Sequence, residues 1–336
     1  VMKNIFFEIA YRLGILALFD RVNKKALRVY SYHAVVDNDA QMVSGMDFRT
    51  EVLRSQMILL SNRYVVQRLD RLLEGSKPGV AVTFDDGCAT DFTKVKPILD
   101  SLGIKGTFFV CADLAEGLQP LTWCDQAFLV GLSKSNPRRR IQKSDRQAAF
   151  DYASIFENNV RVKRETAPLT LLMKNMTLKQ EHDYHAALEL GGERCSSLQQ
   201  AELRVLNDTG HLIGCHTATH PVLKHLEHSA SDLEEEIIES RTRISALIGA
   251  EIEYFAYPFG EKRDVSEPVV AFVKNSGFKA AFLNEIGENS SRFEIGRQSL
   301  PHTENPAELF SHTSGFVYFL KTGKLLPAHP VSNQQG

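Results

Sequence analysis

The run Val80-Ala81-Val82-Thr83-Phe84-Asp85-Asp86-Gly87 constrains this chain more than any other stretch. Its apolar part, Val80 to Phe84, reads as a buried strand. The strand stops at two adjacent carboxylates, and Gly87 marks a turn. Side-by-side acids repel, so a fold keeps them at a strand end only with compensation. A cation bound by one carboxylate compensates and leaves the other as a base. The plainer alternative is a strand followed by a solvated acidic turn.

A second segment bears on that choice. His216-Thr217-Ala218-Thr219-His220 sets two imidazoles four residues apart, within the spacing of zinc-binding histidine pairs. The segment follows a strand-like stretch, His211 to Cys215, and Pro221 prevents a long helix from starting there. Two histidines on a turn are common as surface or core residues. Joined to a strand-end acid pair, they form a two-histidine, one-carboxylate set that leaves positions open for water. Asp86, His216 and His220 are the expected ligands. Zinc suits this donor set, and cobalt, nickel and manganese are alternatives.

These segments resemble the first two motifs of the polysaccharide deacetylases, the NodB-homology group or carbohydrate esterase family 4. Phe255-Ala256-Tyr257-Pro258-Phe259-Gly260 is similar to the third motif. The resemblance covers roughly residues 27 to 320 and implies a distorted (β/α)7–8 barrel. It implies Asp85 as general base and Asp86 as metal ligand. It also places an oxyanion-binding N–H at Phe259 within the Tyr257-Pro258-Phe259 turn. The family's third motif usually opens with an arginine that supports the base, whereas this chain has Ala256. Arg297, near the end of a later expected strand, is a candidate replacement. For the general acid, His302 in Leu300-Pro301-His302 fits a late family motif. His312 and His33, the latter in the pair Tyr32-His33, are further candidates.

Strand and helix signals alternate along the chain. Strands are expected at Leu27–His33, Val80–Phe84, Gly106–Cys111, Leu212–Cys215, Glu253–Tyr257, Lys279–Leu283 and Phe293–Gln298. Helices are expected at Phe48–Leu60 (capped by Asp47), Asp91–Leu102, Ser197–Asp208, Ser231–Ile248, Pro268–Ser276 and Pro306–Ser314. Asp85, Asp86, His216, Pro258 and Arg297 fall at or just past strand ends. A closed or curled barrel gathers such ends on one face. Residues 115–200 break the alternation and read as a mostly helical insertion on that face. It holds the only tryptophan, Trp123, which either stacks on a sugar or serves packing. The basic run Arg138-Arg139-Arg140 reads as a solvated face.

Residues 1–26 read as an amphipathic helix, 27–322 as the catalytic domain and 323–336 as a tail. The stretch Ile5 to Phe19 is interrupted by Glu8 and Arg12, is too short to span a bilayer, and lacks a cleavage site, so neither a signal peptide nor a membrane span is expected. It either packs on the domain or lies on a membrane surface, with Lys3, Arg12, Arg21, Lys24 and Lys25 nearby. The expected location is the cytoplasm or the cytoplasmic face of the membrane. The formal net charge of −2 over 336 residues gives no electrostatic case for nucleic acid. Five scattered cysteines (Cys88, Cys111, Cys124, Cys195, Cys215) form no Cys-x-x-Cys pair, which argues against a disulfide framework.

The expected activity is metal-dependent removal of an acyl group, N-acetyl or O-acetyl, from a glycan such as a bacterial cell-surface polysaccharide precursor. A deformylase or other amidase acting on a sugar-lipid and an inactive glycan-binding protein are the rivals. Sugar, linkage and oligomeric state are not written in the sequence.

Overall fold

The computed structural model describes residues 2–41, 46–75, 78–118, 122, 192–287, 289 and 291–328. Nine strands are present among them: β1 (Arg28–Tyr32), β2 (Val35–Val36), β3 (Phe48–Arg49), β4 (Val80–Phe84), β5 (Thr107–Val110), β6 (Leu212–Cys215), β7 (Tyr254–Ala256), β8 (Ala280–Phe282) and β9 (Gln298–Ser299). Seven form one sheet in the order β8-β7-β6-β5-β4-β1-β9, with every pairing parallel. Parallel pairing requires crossover connections, and helices supply them. The result is a curled, incomplete (β/α) barrel.

Strand alternation sorts the core into two layers. Val80, Val82 and Phe84 face outward with Phe108, Ile213 and Phe255, against Leu53 and Met57 of the helix Thr50–Arg63 and Ile244 of the helix Ser240–Ile248. Val29, Ala81, Phe109, Ala256, Ala280 and Phe282 face inward, closed below by Leu69 and Leu72. The interior is narrow. A Cβ on Gly214 would meet the Phe109 ring at 2.4 Å, so glycine there lets that ring fill the barrel. Thr83 and Asp85 follow Ala81 on the same inward parity. Strand phase therefore aims Asp85 into the barrel mouth.

Several expected elements shift for identifiable reasons. The stretch expected at Phe293–Gln298 divides its pairing. Ile295 bridges Phe282 of β8, and Gln298–Ser299 pair with β1. Arg297 lies between these two attachments, so the run links the edge strands. Asp47 is not a helix cap. It is wholly buried and accepts from Arg194 Nε at 3.0 Å, while Phe48–Arg49 pair with Val35–Val36 and the helix starts at Thr50. Two expected helices contain wider π-turns, Asp91–Val95 and Glu234–Glu239. The N-terminal segment is two helices, Met2–Arg12 and Ile15–Val22, broken at Gly14 with φ 74°. Most of the expected insertion, with Trp123, Cys124 and Arg138–Arg140, lies outside the described residues.

Candidate metal centre and its acidic neighbour

Two turns at the carboxyl ends of the central strands build the site. β4 runs into Asp85-Asp86-Gly87, and β6 runs into His216 to His220. The amide of Asp85 donates to Tyr32 O at 3.0 Å and that of His216 to Val110 O at 2.9 Å, so both turns leave the sheet in register. Four of the five non-glycine residues with positive φ among the described residues lie here: Asp86 (77°), Thr217 (70°), His220 (65°) and Phe259 (60°). Each such residue costs on the order of 1 kcal/mol or more unless its surroundings hold it.

The strain places Asp86, His216 and His220 around one point. Asp86 Oδ1 lies 3.6 Å from His216 Nε2 and 3.4 Å from His220 Nε2. One ligand atom from each residue falls within 4.8 Å of the others. Atoms bound about 2 Å from one tetrahedral ion sit roughly 3.3 Å apart, so the spacing fits a divalent cation. The other ring nitrogen of His216, Nδ1, lies 2.7 Å from Ala256 O. Donating there fixes the tautomer that turns a lone pair on Nε2 toward Asp86. Burial pushes His216 down to about 4, despite the opposing pull of Asp85. Burial, and then the charge of His216, push His220 well below its ordinary value. Both rings are therefore neutral near pH 7, as ligation requires.

Asp85 has a different partner. Arg297 Nη1 and Nη2 donate to Asp85 Oδ1 and Oδ2, each at 2.7 Å, in a two-point pair. Arg297 Nη1 also donates to Thr83 Oγ1 and Nε to Leu283 O, both at 3.0 Å, and the guanidinium lies over the Phe109 ring. Both charged groups are buried. Burial acts to raise the Asp85 carboxyl, but the guanidinium outweighs it and holds the acid down at about 2. Arg297 thus reaches Asp85 from a segment 212 positions away.

The remaining expected residues divide. His33, half-buried just past β1, lies close enough for its charge to act on Asp85, His216 and His220. His302 is exposed and stacks on Phe48 with ring centres 4.0 Å apart. His312 sits in the helix Pro306–Thr313, 3.5 Å from Gln298 Nε2. Phe259 lies against the metal triad, its ring 4.9 Å from that of His220. Gly260 N donates to Pro258 O at 2.6 Å, which tightens the turn around Phe259. Tyr257 is buried. Its hydroxyl donates to Phe293 O and its amide to Phe282 O, both at 3.0 Å, so its polar groups hold the barrel wall. Trp123 is outside the described residues.

Two residues missed in the sequence complete the site. Glu236 is buried. Its Oε2 accepts from the amides of Ala218 and Thr219 at 2.9 Å each, and its Oε1 from Thr219 Oγ1 at 2.7 Å. It fixes the histidine turn from behind. In the sequence it ends a three-glutamate run that reads as a solvated face. Asp91 is fully buried, and neither carboxylate oxygen has a hydrogen-bond partner. Burial, and then the charge of Asp86, push it well above the usual carboxylate range.

A curled parallel barrel whose strand ends gather a two-histidine, one-carboxylate triad and a separate arginine-paired acid defines a (β/α) protein with a candidate metal site. The family model for polysaccharide deacetylase matches residues 73–123 and 165–281, half of the chain. The chain belongs to the polysaccharide deacetylase family, whose members are carbohydrate deacetylases. Solved structures show the same fold. A Streptococcus pyogenes deacetylase, PplD, in complex with acetate is 13% identical with a TM-score of 0.53, covering 85% of this chain and 97% of that one. BC0361, a polysaccharide deacetylase from Bacillus cereus, is 18% identical with a TM-score of 0.53, covering 86% and 69%. BA0330 from Bacillus anthracis is 19% identical with a TM-score of 0.52, covering 86% and 68%. No curated protein matches the sequence.

Proposed function

We propose that this protein is a metal-dependent deacetylase that hydrolyses N-acetyl groups of a glycan or polysaccharide precursor. The observation that carries this reading is the division of labour between adjacent acids. Asp86 turns toward two neutral histidines, and Asp85 turns toward Arg297.

A divalent ion held by Asp86, His216 and His220 would supply Lewis acidity and acidify a water molecule toward a pKa of ~7. Every other task falls to the chain. Asp85, ionised at all working pH values, receives the proton of the attacking water. Its low pKa makes it a weak base, and an ion at the triad would narrow the gap by bringing the water's pKa down toward it. Arg297 keeps the carboxylate charged and fixes its orientation. The Phe259 turn stands beside the triad, where a backbone N–H can meet the developing oxyanion. His33, within electrostatic reach of the same groups, is the better-placed candidate for returning a proton to the leaving amine.

The test is acetate release from N-acetylhexosamine oligomers by protein loaded with zinc, cobalt, nickel or manganese. Wild type should release acetate, and Asp85→Asn should lose ~10²–10⁴ of the rate while keeping its ion. Formate release instead would assign the protein to deformylation. Absence of turnover with every metal, alongside oligosaccharide binding, would leave a binding protein.

A further inference from the structure

The helices Met2–Arg12, Ile15–Val22 and Phe316–Thr322 are apolar on two faces. Their inner residues Phe7, Ala10, Leu16, Phe316 and Val317 form a small core with Ala307 and Phe310 of the helix Pro306–Thr313. That core accounts for one face only. Ile5, Ile9 and Leu13 leave an outward row at helical spacing, exposed 54%, 52% and 70%. On the second helix, Leu18 and Val22 do the same at 60% and 53%, and Leu320 continues the surface at 54%. Aromatic rings tie the three helices into one unit. Exposed Phe6 stacks on Phe316, Phe316 meets Phe19, and Phe19 meets exposed Phe319, with ring centres between 5.0 and 5.9 Å. A water-facing apolar surface of this kind marks a docking site.

Charge selects the occupant. Among the described residues 4–25 and 316–328, the exposed charged side chains are Arg12, Arg21, Lys24, Lys25, Lys321 and Lys324, all cationic. The two acids there, Glu8 and Asp20, are half-buried, and Asp20 is committed to Arg28 at 3.0 Å. This is a local departure in a chain of net charge −2. Apolar rows bordered by cations match the boundary between acyl chains and anionic headgroups. A second copy fits poorly, because a two-fold contact would oppose the same cations. No helix among the described residues is long and apolar enough to cross a bilayer, so these helices would lie in its plane.

We propose that this three-helix surface docks the protein peripherally on an anionic lipid bilayer. The proposal is independent of the deacetylase reading. Co-sedimentation with phosphatidylcholine vesicles, with and without about one third phosphatidylserine, tests it. Wild type should bind the anionic vesicles more tightly, with affinity falling as salt rises. Leu18→Glu should lose binding to both, and the double change Lys24→Glu with Lys25→Glu should lose roughly tenfold or more on anionic vesicles alone. Circular dichroism on each variant checks that these exposed substitutions leave the fold intact. Absence of wild-type binding at low salt would overturn the proposal, as would binding that both variants retain. A wild-type dimer broken by Leu18→Glu, without vesicle binding, would give the surface to a second copy and equally overturn it.

Discussion

The acid turn after β4 and the histidine turn after β6 face the same task and solve it differently. Each must hold candidate metal ligands through backbone conformations that L residues avoid, at Asp86 in one and at Thr217 and His220 in the other. The acid turn is fixed by charge: Arg297 reaches through the barrel and grips Asp85 at two points. The histidine turn is fixed by hydrogen bonds to its backbone, with Glu236 collecting two amides and a hydroxyl. The first device sets the charge state of Asp85, the proposed base, as well as its position. The second sets position alone. Disrupting the first should therefore change pH behaviour, and disrupting the second should change ion affinity.

The largest effect is expected from Arg297→Ala. It leaves Asp85 buried without its cation, which should cost about 3–5 kcal/mol of folding stability. In the protein that folds, the acid limb of the pH–activity profile should move upward as Asp85 loses the charge that depresses it. Chemical denaturation and a pH–rate series read the two effects separately. An acid limb that stays in place would remove Arg297 from any role in setting the base.

Next comes Glu236→Gln. The neutral amide can keep one oxygen on the amides of Ala218 and Thr219 and turn its N–H group to the Thr219 hydroxyl, but it replaces charge-assisted hydrogen bonds by weaker neutral ones, at about 1 kcal/mol. Ion affinity should fall roughly 10–100-fold through loosened His216 and His220, with the pH profile unmoved. A calorimetric ion titration beside the same pH–rate series checks this, and a shifted profile would erase the contrast between the turns.

The contrast also has an acid-stability signature. Asp85 is held at about 2 against an ordinary 3.8, so its contribution is present above the unfolded value and lost as pH falls through the folded one. Ion-free protein should lose on the order of 2 kcal/mol between pH ~4 and pH ~2 from this group. His216, held at about 4 against 6.5, binds its proton more readily unfolded and should lower stability as pH falls across that earlier window. Urea unfolding at stepped pH in wild type and Arg297→Ala locates the Asp85 portion, which should be missing from the variant.

Asp91→Asn should have the smallest effect. Asp91 is raised well above its ordinary value, so it favours folding at low pH and loses that advantage as pH rises through its folded value. Asparagine has nearly the same shape and no proton to hold. The variant should be as stable as wild type or slightly more so near pH 7, with acetate release within a few-fold. A large loss of activity would mean that the acid takes part in the chemistry of the turn.

How much of this could be read in the sequence depended on range. Strand phase and the acid and histidine motifs are local, so the central strands and the candidate triad follow from runs of a few residues. Arg297 could be proposed only because Ala256 left a gap in a familiar pattern. Glu236 and Asp91 carried no such gap. A glutamate run reads as solvent-facing and an acid near a helix start reads as a cap, until distant segments bury them. Asp47 misled for the same reason, since its partner Arg194 lies 147 positions away. The N-terminal helix break depended on one left-handed residue, Gly14, which an apolar run conceals.

The central claim is that Asp86, His216 and His220 bind one ion while Asp85 stands beside it without binding. Stoichiometric titration of ion-free protein with cobalt, followed by its visible absorption, tests this directly. One ion per chain is predicted for wild type and for Asp85→Asn, with binding lost in Asp86→Ala, His216→Ala and His220→Ala. An Asp85→Asn protein that no longer holds cobalt, or an Asp86→Ala protein that still does, would contradict the account.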